Sequence, residues 1–90
     1  MVKGVVDVRR EIMALGGNLH ADEEAALLED GSNQSDLWGI NIYPEVTGED
    51  MIEFDSMINI RPAQKNRSLF VEDAVTRRRI VEIIMKLVQE

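Results

Sequence analysis

The clearest pattern in the chain is an alternation from Met51 to Arg61. Ile52, Phe54, Ser56, Ile58 and Ile60 fall on one side of an extended segment, and Met51, Glu53, Asp55, Met57, Asn59 and Arg61 on the other. It predicts the longest strand, with its first set packed against helices. The β-branched Val5, Val6 and Val8 predict a strand over residues 4–8, and Ile12 to Leu15 a short second strand returning from it. Their connection, Arg9-Arg10-Glu11, lacks the Asn-Gly or Asp-Gly of a tight hairpin. Leu37 to Tyr43 predicts a strand with Ile40 and Ile42 on one face and Gly39, Asn41 and Tyr43 on the other.

Helical signals occur twice. Ala21 to Asp30 is built from Ala, Leu and acidic residues, with Asp22, Glu23 and Glu24 in the first turn, where the helix dipole favours carboxylates. Gly31 is placed to end it in a left-handed conformation. Ala74 to about Gln89 carries a stripe of Ile80, Ile83, Ile84, Leu87 and Val88 behind Asp73, a good N-cap. Residues 62–72 read as a loop, long for so small a domain. The order ββαββα predicts an α+β fold: a two-layer, mostly antiparallel four-stranded sheet with both helices on one face.

Ninety residues allow a single domain over 1–90 and exclude a second core. No apolar run approaches the ~20 residues of a membrane-spanning helix, so no membrane partner is expected. With no cysteine the chain has no disulfide, thiol nucleophile or thiolate metal site, and a cytoplasmic location is the expectation. Charge adds more through its distribution. The net charge is −7, and no Lys or Arg occurs between Glu11 and Ile60. Such an acidic chain is a poor nucleic-acid binder, despite Arg77-Arg78-Arg79. The acidic and basic thirds are expected to meet in the fold.

Candidate chemistry is sparse. His20 is the only histidine, so a site built on it would depend on carboxylates, and no established zinc spacing occurs. The bland reading is a partly buried histidine bonded to backbone. Asp55, Asn59 and Arg61 share one side of the predicted strand, with Asn41 expected opposite on its neighbour. They could floor a pocket or form an ordinary wet face. The run from Arg61 through Gln64, Asn66 and Arg67 to Ser68 gathers guanidiniums and amides suited to an anion. It lacks the glycines of a P-loop, and Ser56 has no adjacent histidine for a triad. Trp38 reads as core or dimer contact more readily than as a ligand platform.

Taken together, His20-Ala-Asp-Glu-Glu24, Asp36-Leu-Trp-Gly-Ile-Asn-Ile-Tyr-Pro44, Phe54-Asp-Ser-Met-Ile-Asn-Ile-Arg-Pro62 and Asn66-Arg-Ser68 resemble domain-of-unknown-function family 5674, a group of small uncharacterised bacterial and archaeal proteins. The resemblance implies no activity, because that family has none assigned, and it leaves cofactors unknown. It does imply an extra segment before the first strand, and this chain, which starts almost in that strand at Val2 or Lys3, is expected to lack it.

The leading expectation is a small cytoplasmic binding or interaction module that self-associates. Its unprotected first strand and the wide apolar surface of the last helix would meet a second copy. A small anionic ligand is a further expectation, with His20, Asn41, Asp55, Asn59, Arg61, Gln64, Asn66 and Arg67 as candidate contacts and no metal. The alternative is a metal-assisted hydrolase or nuclease-like enzyme using His20, Asp55, Asn59, Arg61 and Arg67. It requires those groups to converge in one cavity.

Overall fold

In the computed structural model, which describes residues 1–88, Asp7 decides how the first two strands meet. Strand β1 spans Val2–Asp7 and β2 spans Ile12–Leu15. The Asp7 carboxylate is fully buried. Its Oδ1 accepts the N–H groups of Arg9 and Arg10, each at 2.9 Å, and its Oδ2 accepts the Ser32 hydroxyl at 2.6 Å. Burial pushes this carboxyl's pKa up. The bonds from Ser32, Arg10 and Arg9, with the Arg9 charge, outweigh burial and hold it below the usual aspartate value. Glu11 then takes a left-handed φ of 58° and closes the turn with its N–H on Asp7 O at 2.9 Å. A side-chain acceptor thus replaces the missing Asn-Gly.

Helix α1 (His20–Glu29) follows, then β3 (Leu37–Ile42), β4 (Ile52–Glu53) and α2 (Ala74–Val88). The sheet order is β2-β1-β3-β4, antiparallel throughout. Val6 faces Met13 and Trp38, while Val5 faces Ala14 and Gly39. β1 is therefore an interior strand, and the edge that sequence reasoning assigned to it belongs to β2.

The architecture is α+β, with the expected four-stranded antiparallel sheet and two helices. The helices lie on opposite faces, however, where one shared face was expected. Ile80, Ile83 and Ile84 of α2 pack on Val6, Trp38, Ile40, Ile42 and Ile52. Leu27 of α1 packs on Val5 and Leu37 across the sheet, flanked by Ile12, Ala14 and Ile58. The reason lies in β1 and β3. Every residue from Leu37 to Ile42 is buried, as are Val5 and Val6, so neither strand has a wet face. A strand apolar on both sides needs cover on both sides.

The alternation from Met51 to Arg61 does not produce the longest strand. Pairing stops after Glu53, and a 3-10 turn forms over Met57–Asn59. Ser56 caps that turn by accepting the Ile58 N–H at 3.3 Å. The side-sharing of the predicted strand breaks with it: Phe54 joins the α2 side, Ile58 the α1 side, and Ile60 is exposed. Asp73 caps α2 as expected, accepting the Thr76 N–H at 2.9 Å and hydroxyl at 2.7 Å. The expected end of that helix at Gln89 lies outside the described residues. Gly31, at φ 107°, follows α1 and donates to Leu28 O at 3.1 Å. No helix among the described residues is long and apolar enough to cross a membrane.

Candidate functional site

Where β4 ends, side chains take over its pairing with β3. The outward peptide edges of Gly39 and Leu37 would otherwise face nothing. Asn59, fully buried, accepts the Gly39 N–H on Oδ1 at 2.8 Å and donates from Nδ2 to Gly39 O at 3.0 Å. This reciprocal pair copies what a neighbouring strand's peptide would supply. Nδ2 also reaches Leu69 O at 3.0 Å and Phe54 O at 3.3 Å. Gly39 is required for so close an approach: a Cβ there would sit 2.5 Å from Ser56 Cβ. Arg61 continues the edge. Its guanidinium donates to the carbonyls of Leu37 and Gln34, to Ile58 O at 3.1 Å and to Gln64 Oε1 at 3.1 Å, and lies 4.3 Å from the Trp38 ring centroid. Burial lowers its pKa, and no carboxylate ion-pairs with it among the described residues.

Asn66 plays the same part for the following loop. It is buried, donates to Asn59 O at 2.7 Å and Phe70 O at 2.8 Å, and accepts the Glu72 N–H at 2.8 Å. Gln64 is exposed and bonds Ser35 O at 3.0 Å. Arg67 is exposed, its N–H on Glu72 Oε2 at 2.9 Å. The Ser68 hydroxyl and the N–H groups of Arg67 and Ser68 hold the Glu72 carboxyl below its ordinary pKa. The Arg61 guanidinium, the Gln64 and Asn66 amides and the Ser68 hydroxyl are therefore engaged within the protein, by its own carbonyls and by Glu72.

A second polar group gathers on the α1 face, at the Lys3 end of the sheet. Lys3 and Asn41 are cross-strand partners. Asn41 is buried, with Nδ2 on Glu53 Oε1 at 2.8 Å and Asp55 O at 3.2 Å, while its Oδ1 has no partner. The Tyr43 hydroxyl donates to the same Glu53 oxygen at 3.2 Å. His20 opens α1 and donates from Nε2 to Ile40 O at 2.8 Å. Glu23, one turn along, is 4% exposed. Its Oε2 accepts the Gly17 N–H at 2.8 Å, and its Oε1 is buried without a partner. Burial raises the pKa of this carboxyl, against the Gly17 bond and the charges of His20 and Lys3.

The eight candidates thus divide. His20, Asn41 and the backbone of Asp55 lie along one flank of β3. Asn59, Arg61, Gln64 and Asn66 lock the edge and its loop, and Arg67 stands outside both groups. The cleft that His20 lines does not include Asp55, Arg61 or Arg67, and no cluster of three or more His, Asp or Glu among the described residues could hold a metal. Lys3, Glu23, Tyr43, Glu53 and Ser56 were missed. Lys3 alone carried a signal, as a lone cation in a valine-rich strand.

The fold and these sites define a small α+β protein whose third strand is completed by side chains. A model of the family described as protein of unknown function (DUF5674) matches residues 1–87, and the chain belongs to that family. No curated protein and no solved structure matches it.

Proposed function

We propose that the chain is a small cytoplasmic interaction module whose working form is a symmetric homodimer, joined edge to edge along β2. The observation that carries this reading is the bare outer edge of β2. Gly39 turns its peptide groups away from β1, so Ile40 turns its own toward it. Residues then alternate along the sheet, and β1 meets β2 through Lys3, Val5 and Asp7, consistent with the Gly16 N–H on Lys3 O at 3.1 Å. On β2 the N–H and C=O of Met13 and Leu15 therefore point outward.

From Ile12 to Asn18 that edge carries no charge and no proline, in a chain with 30% charged residues. Charges and prolines are the usual protection of an exposed edge. An antiparallel register centred on Ala14 would set Met13 against Leu15 of the second copy and extend the sheet across a two-fold axis. Leu15, 50% exposed, would lose its solvent exposure there. Net charge −7 per copy opposes association at long range, so salt should strengthen the dimer.

Sedimentation equilibrium at micromolar concentration tests the reading. A dimer mass that tightens with salt, and becomes a monomer in Leu15→Lys with an unchanged circular-dichroism spectrum, supports it. A strictly monomeric mass, or a dimer indifferent to Leu15→Lys, overturns it. The acidic net charge supports leaving nucleic acid out of the proposed partners. A metal-assisted hydrolase has no supporting geometry, because its required groups are apart.

A further inference from the structure

The cleft beneath the first turn of α1 has about 250 Å3 of free volume. Its polar lining is Lys3, His20 and Ser56, and its apolar lining is Leu19, Met57 and Ile58. No carboxylate lines it. Lys3 is partly buried, and among the described residues no Asp or Glu comes within ion-pair distance of its ammonium. Glu23 feels the Lys3 charge from beyond that distance, with one oxygen already on Gly17. Ser56 is 5% exposed, and its Oγ accepts the Ile58 N–H, but its hydroxyl proton meets no acceptor among the described residues.

The backbone adds donors. Leu19 stands at the N-cap of α1 and has no side-chain oxygen to cap it. His20 and Ala21, whose N–H groups precede the intrahelical ladder, line the cleft at the positive end of the helix dipole. Lys3, Ser56 and the first residues of α1 therefore line one small volume that no carboxylate lines. The walls are apolar, and two of them, Leu19 at 59% and Met57 at 75% exposure, are left in water. A monoanion with an apolar tail fits both halves. Asp22 and Glu23, in the same first turn, penalise a dianion more than a monoanion.

We propose that this cleft binds a small organic monocarboxylic acid. The carboxylate sits on the Lys3 ammonium, the Ser56 hydroxyl and the first amides of α1, and a short aliphatic chain lies against Leu19, Met57 and Ile58. The volume corresponds to about eight waters at the ~30 Å3 each occupies in the liquid, which suits a short chain rather than a long lipid.

Hexanoate is the probe, added to the isotope-labelled protein and followed through amide chemical shifts. Saturable shifts at Lys3, His20, Ala21 and Ser56 to Ile58 in the millimolar range are expected. Neutral hexanamide should bind at least about tenfold more weakly. Lys3→Met should lose the binding and Lys3→Arg keep it. Met57→Glu, at an exposed position where folding is not at stake, should weaken it by about tenfold as well. Absence of saturable shifts, equal shifts with hexanamide, or unchanged affinity in both Lys3→Met and Met57→Glu would overturn the assignment. So would inorganic phosphate producing the same shifts at lower concentration than hexanoate.

Discussion

Replacing Asn59 with alanine should remove a large part of the protein's stability. The carboxamide closes a ring with Gly39 through bonds of 2.8 and 3.0 Å and also serves Leu69 O and Phe54 O. The residue is fully buried, so alanine strands the N–H and C=O of Gly39, while Leu69 O and Phe54 O keep the N–H groups of Ser56 and Val71. A stranded buried group costs about 1–3 kcal/mol, so the Gly39 pair alone amounts to about 2–6 kcal/mol. Water entering the vacated space relieves part of this, which places the expected loss near about 3 kcal/mol. A domain of this length holds only about 5–13 kcal/mol in total. Urea denaturation should show a lower midpoint at constant slope, and the melting temperature should fall by more than about 10 °C. Amide exchange supplies a local readout. The Gly39 N–H should exchange faster in the variant relative to Val5, its partner on β1. Asn59→Asp should be worse than alanine, because it sets a carboxylate against carbonyl oxygens. A loss below about 1 kcal/mol with Gly39 still protected would refute the claim that this side chain stands in for a strand.

Three further outcomes follow from the same structure. Glu23 has a folded pKa raised above its ordinary 4.5 by burial, so the folded state gives up stability as pH rises through that pKa. Glu23→Gln, which keeps an acceptor for Gly17, should raise the melting temperature at pH 7 but not at pH 4; a gain independent of pH would contradict this. Gly39→Ala pushes a Cβ to 2.5 Å from Ser56 Cβ and 3.0 Å from Ile58 Cγ1, and should cost about 1–3 kcal/mol in denaturant titration as the 3-10 turn is displaced. Arg61→Lys keeps the charge but loses the planar fork over Trp38, so indole fluorescence and melting temperature should both change; a native emission spectrum would argue against the stacked arrangement.

The elements that depend on local chemistry were legible in the sequence. Ile12 to Leu15, the start of α1 within one residue, the turn at Gly31 and the Asp73 cap of α2 follow from propensity, capping and glycine placement. The faces of β3 were also legible, with Ile40 and Ile42 opposed to Gly39 and Asn41. What failed was the inference from period to strand between Met51 and Arg61. Alternation records which side chains could share a face, but pairing needs a neighbour along the whole length. Beyond Glu53, Ser56 turned the backbone and Asn59 replaced the peptide pairing. The placement of the helices was likewise a tertiary decision, since a strand buried on both faces calls for cover on both without saying which helix supplies it. Candidate residues fared similarly. Their types announced hydrogen-bonding capacity, yet only the packed structure showed that Asn59, Arg61 and Asn66 spend theirs on the chain's own carbonyls. Lys3, a cation in an apolar strand, lines an open cleft without a carboxylate, because the acids that could have paired with it are bonded elsewhere or lie too far away.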